Sequence, residues 1–125
     1  MAEDGVRIHG WYLPVLRARW VTLLSHGNAG NISHRLDRAL LLQARLRSSV
    51  FLYDYRGYGA SEGSPDEAGT YRDARAAYRY LAEEKQVRAD ELVLFGESLG
   101  SAVSLELARA RPAAALVLEA PFTSV

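Results

Sequence analysis

The chain has 125 residues, 49% of them hydrophobic and 24% charged, enough for one globular domain with a sizeable core. Its 15 basic and 15 acidic residues cancel, so no basic field marks it for nucleic acid or an anionic membrane surface. Without cysteine it has neither a disulfide framework nor a thiolate nucleophile or ligand, and no apolar run approaches the ~18 residues of a membrane span.

Taken in order, the segments alternate between strand-like and helix-like patterns. "VRIHGWYLP" (6–14) alternates roughly between apolar and polar, which predicts an early strand near a sheet edge. "WVTLLSHG" (20–27) is a compact apolar run, as in a parallel strand buried on both faces. From Ser33 to Ser48, Leu36, Ala39, Leu40, Gln43 and Leu46 recur near helical spacing and predict a helix. "VFLYDY" (50–55) is the next buried strand. "SPDE" (64–67) is a helix start: Ser64 caps, Pro65 takes the first helical position and Glu67 completes a capping box. The helix it opens carries Tyr71, Ala74, Tyr78, Leu81 and Ala82 on one face. "ELVLFG" (91–96) is a third buried strand. Leu99 to Arg109 is a helix turning Leu99, Ala102, Val103 and the following Ala110 inward, and "AALVLEA" (114–120) is a last strand closed by Pro121.

Strands alternating with helices predict a three-layer α/β/α architecture around a mostly parallel sheet. In such sheets, ligands bind outside the carboxyl ends of the strands, near a topological switch point. The loops at that edge begin at His26-Gly27-Asn28, Asp54-Tyr55-Arg56-Gly57, Glu97-Ser98-Leu99 and Glu119-Ala120-Pro121. Topology therefore gathers the residues that carry chemistry.

Residues 94–104, "LFGESLGSAVS", contain Gly96-Glu97-Ser98-Leu99-Gly100, the pattern Gly-x-Ser-x-Gly. After a strand and at the opening of a helix, this is the setting of a nucleophile held on a sharp turn. Side chains at 96 or 100 are expected to collide with neighbouring chain. The helix N-terminus behind Ser98 favours developing negative charge. A turn that merely caps a helix is the plainer alternative. "SHGNAGN" (25–31) is a Gly-rich loop after a central strand, suited to presenting backbone amides to an oxyanion. Asn28 N–H is the candidate donor, with Ala29 the alternative, and Leu99 N–H supplies the second. A phosphate cradle is the rival for this loop, but neither the Gly-x-Gly-x-x-Gly spacing nor a Gly-Lys-Ser/Thr ending is present.

A serine nucleophile needs a base, and none of the three histidines is a convincing one. His26 is expected to hold its own loop by local hydrogen bonds, His9 lies in the early strand and His34 at a helix start. None has a metal-ligand spacing. Asp54 and Arg56, within "YDYRGYGASEG" (53–63), are expected to pair with each other or with backbone in a structural loop. Glu119 closes the last strand, either as a triad acid or as a carboxylate lining the strand edge. Tyr55, Tyr58 and Phe122 are candidates for a pocket rim or for packing.

"LLSHGNAGN", "YDYRGYGASEGSP", "LFGESLGSAVSLELA" and "LVLEAPFTS" together resemble the α/β-hydrolase superfamily. They are most similar to the branch of α/β-hydrolase-domain proteins that includes eukaryotic depalmitoylases and lysophospholipid hydrolases, with bacterial relatives. The resemblance runs from about Asp4 to Thr123. It implies Ser98 as nucleophile, the Leu99 and Asn28 amides as oxyanion hole, and acyl transfer to water through an acyl-enzyme without metal or organic cofactor. It also implies that the strand ending at His26 lies beside the one ending at Gly96. The order Ser…Asp/Glu…His of this fold places the triad acid and histidine beyond Val125. Residues 1–125 are therefore expected to be the N-terminal part of a single hydrolase domain, truncated before its last strands, inactive alone and with an open edge on its terminal strand. A small-molecule or acylated substrate is the expected partner, and nucleic acid is not. The expected setting is cytoplasmic, or membrane-anchored through an upstream segment. The alternative is a non-catalytic α/β-hydrolase-like binding module.

Overall fold

The structure, a computed structural model, describes residues 2, 5–26, 36–56, 61, 67–97 and 99–119. Among these, strands and helices alternate as β1 (Gly10–Leu13), β2 (Trp20–Ser25), α1 (Leu36–Leu46), β3 (Ser48–Tyr53), α2 (Glu67–Glu83), β4 (Leu92–Glu97), α3 (Leu99–Ala110) and β5 (Ala115–Glu119). A short 3-10 turn, Ala89–Glu91, leads into β4. The first strand is shorter than the sequence pattern suggests. The third begins at Ser48, inside the stretch assigned to the end of the first helix.

The strand order is β1-β3-β2-β4-β5, with β1 antiparallel to β3 and the other pairs parallel. Period-two alternation within the central strands fills a separate core on each face of the sheet. β2 sends Leu23 to one face and Leu24 to the other; β3 sends Phe51 and Tyr53 one way and Val50 and Leu52 the other; β4 divides Leu94 from Phe95. Ala74, Ala77 and Leu81 of α2, with Val103 and Leu107 of α3, close the first core. Ala39 and Leu42 of α1 close the second. Each fully buried Leu, Val or Phe stabilises this arrangement by about 1.5–3 kcal/mol. The result is the mostly parallel three-layer α/β/α architecture of an α/β-hydrolase.

Several helix faces differ from the sequence reading. In α1, Leu40 and Leu46 are exposed while Ala39 and Leu42 face the sheet. In α2, Ala74 and Leu81 are buried as expected, joined by Asp73, Ala76 and Ala77, whereas Tyr71 and Tyr78 are half-buried and Ala82 is exposed. In α3, Val103 is buried, but Ala102 and Ala110 face out and the inner face is completed by Ser101, Ser104 and Leu107. The Leu99 side chain, Ser33, Ser64 and Pro65, and the Glu67 side chain lie outside the described residues. Helix phase accounts for the α3 shift: Val103 and Leu107, four residues apart, set the inward face, and Ser101 and Ser104 fall on it at helical spacing.

Candidate active site

The carboxyl ends of β2 and β4 are neighbours, with Ser25 opposite Gly96, and β5 continues the edge with Glu119 opposite Glu97. From β2 the chain passes through α1 to β3 on one side; from β4 it passes through α3 to β5 on the other. That divergence makes β2–β4 the switch point of the sheet, where a ligand crevice forms.

Between the last residue of β4, Glu97, and the first of α3, Leu99, stands one residue, Ser98. So abrupt a strand-to-helix change requires close backbone packing, and two glycines permit it. A Cβ on Gly96 would lie 2.7 Å from the Ser101 Cα, and one on Gly100 would lie 2.5 Å from the Ser25 carbonyl carbon and 2.9 Å from the His26 oxygen. Both neighbours are main chain and cannot swing aside. The start of α3 therefore rests directly on the end of β2. Ser101, buried beneath the turn, donates its hydroxyl to the Gly96 carbonyl at 3.2 Å and lies 3.3 Å from that of Glu119. It ties β4, α3 and β5 together.

A buried aromatic and ionic cluster supports this edge from the β3 side. The Tyr55 hydroxyl donates to the His26 carbonyl at 2.7 Å, and its ring packs against the imidazole with centroids 4.6 Å apart. Tyr53 meets Tyr55 edge-on, and its hydroxyl shares a 2.8 Å hydrogen bond with the Ser25 Oγ. Burial holds both phenols well above the ordinary value of 10.0, so they remain protonated O–H groups throughout the neutral range. The His26 Nε2 lies 3.4 Å from the Asp54 Oδ1, both side chains being almost completely buried. Two residues on, Arg56 turns the other way: its backbone N–H donates to Asp73 Oδ2 at 2.7 Å and its Nη2 to Oδ1 at 2.9 Å. Gly69 leaves the space its guanidinium stem occupies. Ser61 accepts from the His9 N–H at 2.8 Å and donates to the Asp54 carbonyl at 2.7 Å, joining the approach to β1 to the end of β3.

Of the residues assigned from sequence, Ser98, Asn28 and Ala29 lie outside the described residues, as do His34, Tyr58 and Phe122. Leu99 is the first residue of α3, so its N–H belongs to the helix-start donors that have no intrahelical acceptor. His26 is buried beside Asp54, and its carbonyl accepts from Tyr55, while the loop it was expected to hold lies outside the described residues. Glu119 closes β5, half-buried. One expectation is corrected. Asp54 and Arg56 do not pair with each other: two residues apart in sequence, they serve opposite neighbours, His26 and Asp73. Of the two roles open to Tyr55, rim or packing, the structure shows packing: at 0% exposure it lies beneath the edge. The sequence reading also passed over Asp73, Ser101 and buried Glu97. Asp73 left one usable signal, a carboxylate beside Ala74 and Ala77 on the inner face of α2.

The family described as "Serine aminopeptidase, S33" matches residues 17–125. The chain belongs to this family of α/β-hydrolases. It is 46% identical over 125 residues to an uncharacterized protein of Mycobacterium tuberculosis, covering 98% of this chain and 44% of that one. It is 41% identical over 128 residues to the α/β-hydrolase domain-containing protein WAV2 of Arabidopsis thaliana, covering 99% and 42%. The crystal structure of the α/β-hydrolase GrgF from Penicillium sp. sh18 superposes with a TM-score of 0.82 at 27% identity, over 94% of this chain and 43% of that one. The chain thus spans less than half the length of these curated relatives.

Proposed function

We propose that this α/β-hydrolase is a serine hydrolase in which Ser98 attacks an ester, thioester or amide carbonyl. The Leu99 N–H and a backbone N–H from the loop after His26, Asn28 or alternatively Ala29, receive the developing oxyanion, and water then hydrolyses the acyl-enzyme. The observation that carries the reading is the single residue between β4 and α3, flanked by two glycines whose missing Cβ atoms let α3 sit on the main chain of β2. The other serines of the stretch support the assignment: Ser101 and Ser104 face inward and are buried. No other residue stands at the turn.

The general base is a separate matter. His26 is 1% exposed and committed beside Asp54, which suits a support better than a proton shuttle. We propose that residues 1–125 form the N-terminal part of one hydrolase domain. The triad acid and histidine then come from the length of the relatives that this chain does not match, half or more of each. The reading is tested by assaying the full-length protein on p-nitrophenyl acyl esters of graded chain length, beside a Ser98→Ala variant. Turnover abolished by the substitution supports it. Folded protein that turns over no ester, thioester or amide leaves the alternative, a binding module on the same fold.

A further inference from the structure

The His26 main chain is gripped from two sides. Tyr55 donates its hydroxyl to the His26 carbonyl at 2.7 Å, and a Cβ added to Gly100 would lie 2.9 Å from that same oxygen. Gly100 is two residues after Ser98, and His26 is two residues before Asn28. One peptide group therefore links the start of α3 to the point where the chain enters the loop following β2.

We infer that Tyr55 is a positioning residue for the oxyanion site: its hydroxyl fixes the His26 carbonyl against the start of α3 and so sets the spacing between the two donor segments. The inference rests on the serine hydrolase reading. Three observations carry it. The hydroxyl reaches a main-chain oxygen, so it constrains the path of the chain. The ring is fully buried and held on two sides, packed against His26 and edge-on to Tyr53, which leaves the hydroxyl little freedom. The neighbouring phenol, Tyr53, is equally buried and joins the Ser25 and Tyr55 hydroxyls in one cluster, its own hydroxyl 2.8 Å from the Ser25 Oγ. Of the two tyrosines, Tyr55 is the one whose hydroxyl reaches the His26 carbonyl, on the main chain leading into the site.

Removing an oxyanion donor outright costs about 100- to 1,000-fold in rate, so loosening the frame that aims it should cost less, about tenfold or more. The test compares Tyr55→Phe and Tyr53→Phe in the full-length protein, reading kcat and KM on the preferred ester, inhibition by a trifluoromethyl ketone, and thermal midpoint. The inference expects Tyr55→Phe to lower kcat about tenfold or more with KM within about twofold, and to weaken the ketone by a similar factor. Tyr53→Phe should lose comparable thermal stability yet keep kcat within about twofold of wild type. Equal losses of kcat in both variants, or none in Tyr55→Phe, would overturn the inference while leaving Ser98 in place. If Tyr55→Phe melts below the assay temperature, the same readings taken in the cold decide: loss of kcat and ketone affinity in the folded variant supports the inference, and retention of both overturns it. A wild-type protein without hydrolysis dependent on Ser98 would remove the underlying reading and this inference together.

Discussion

Gly100→Ala is the sharpest perturbation of the strand-to-helix turn, because two physical effects of opposite sign meet there. In an ordinary helix, replacing Gly by Ala stabilises by up to about 1 kcal/mol. Here the added Cβ would lie 2.5 Å from the Ser25 carbonyl carbon, where ordinary contact begins at 3.4 Å. The Ser25 carbonyl oxygen is nearer still, so the start of α3 must retreat from β2 by about 1 Å or more, against main chain within a closely packed sheet edge. Overpacking of this kind costs about 1–3 kcal/mol, and the clash with backbone belongs at the upper end. The net expectation is a loss of about 2 kcal/mol. A loss of about 1 kcal/mol lowers the thermal midpoint of a domain of more than 150 residues by roughly 2–4 °C, so circular dichroism of the full-length variant should record a fall of about 4–8 °C. The chemical consequence is larger, since a misplacement of about 1 Å at a reacting centre can cost 100-fold in rate. Ester hydrolysis by the full-length variant should fall by about that factor below its melting temperature. A midpoint that rises or stays level, with hydrolysis intact, would refute the close-approach argument.

Asp73 accepts both the backbone N–H and the guanidinium of Arg56 at a fully buried site. Asp73→Ala removes half of a buried pair and should cost about 3–5 kcal/mol, read as a fall of about 1–3 M in the urea midpoint; a shift below about 0.5 M would contradict the pairing. Stability should also decline in alkali. In the unfolded chain, Tyr53 and Tyr55 ionise near 10.0, while in the folded protein burial keeps them protonated to higher pH. The folded state then binds more protons, so this stability is complete below about pH 10 and is lost as pH rises toward the folded values. The two phenols together give a slope of about 2.7 kcal/mol per pH unit. Urea titrations between about pH 9.5 and 11 should show that decline, with Tyr53→Phe halving the slope. A flat profile would place both phenols in contact with water.

Much of the architecture was legible because strand burial leaves a simple mark. Runs such as "WVTLLS" and "LVLFGE" are apolar at both alternations, and helices indeed cover both faces of the sheet at β2 and β4. The abrupt change from β4 to α3 was legible because glycines are costly elsewhere and stand two residues to either side of position 98. Helix faces were harder to read. Ser101 and Ser104 were passed over for Ala102 and Ala110 because hydropathy ranks alanine above serine, although the phase set by Val103 and Leu107 turns the serines inward. Long-range polar pairing was invisible for a different reason. Asp54 and Arg56 are two residues apart and oppositely charged, yet each is turned by the main chain toward a partner whose proximity only the strand order creates. Rim and packing both stayed open for Tyr55 for the same reason: sequence places it at the ligand edge but not above or below it.

The central claim, that Ser98 is the nucleophile of this hydrolase, is tested most directly by covalent capture. Full-length protein treated with a fluorophosphonate should gain one phosphonyl adduct per chain. Peptide mass spectrometry should place it on the tryptic peptide containing Ser98, and Ser98→Ala should abolish it. A folded, ester-hydrolysing protein whose adduct lies on another serine, or whose Ser98→Ala variant is labelled at the wild-type rate, would contradict the account.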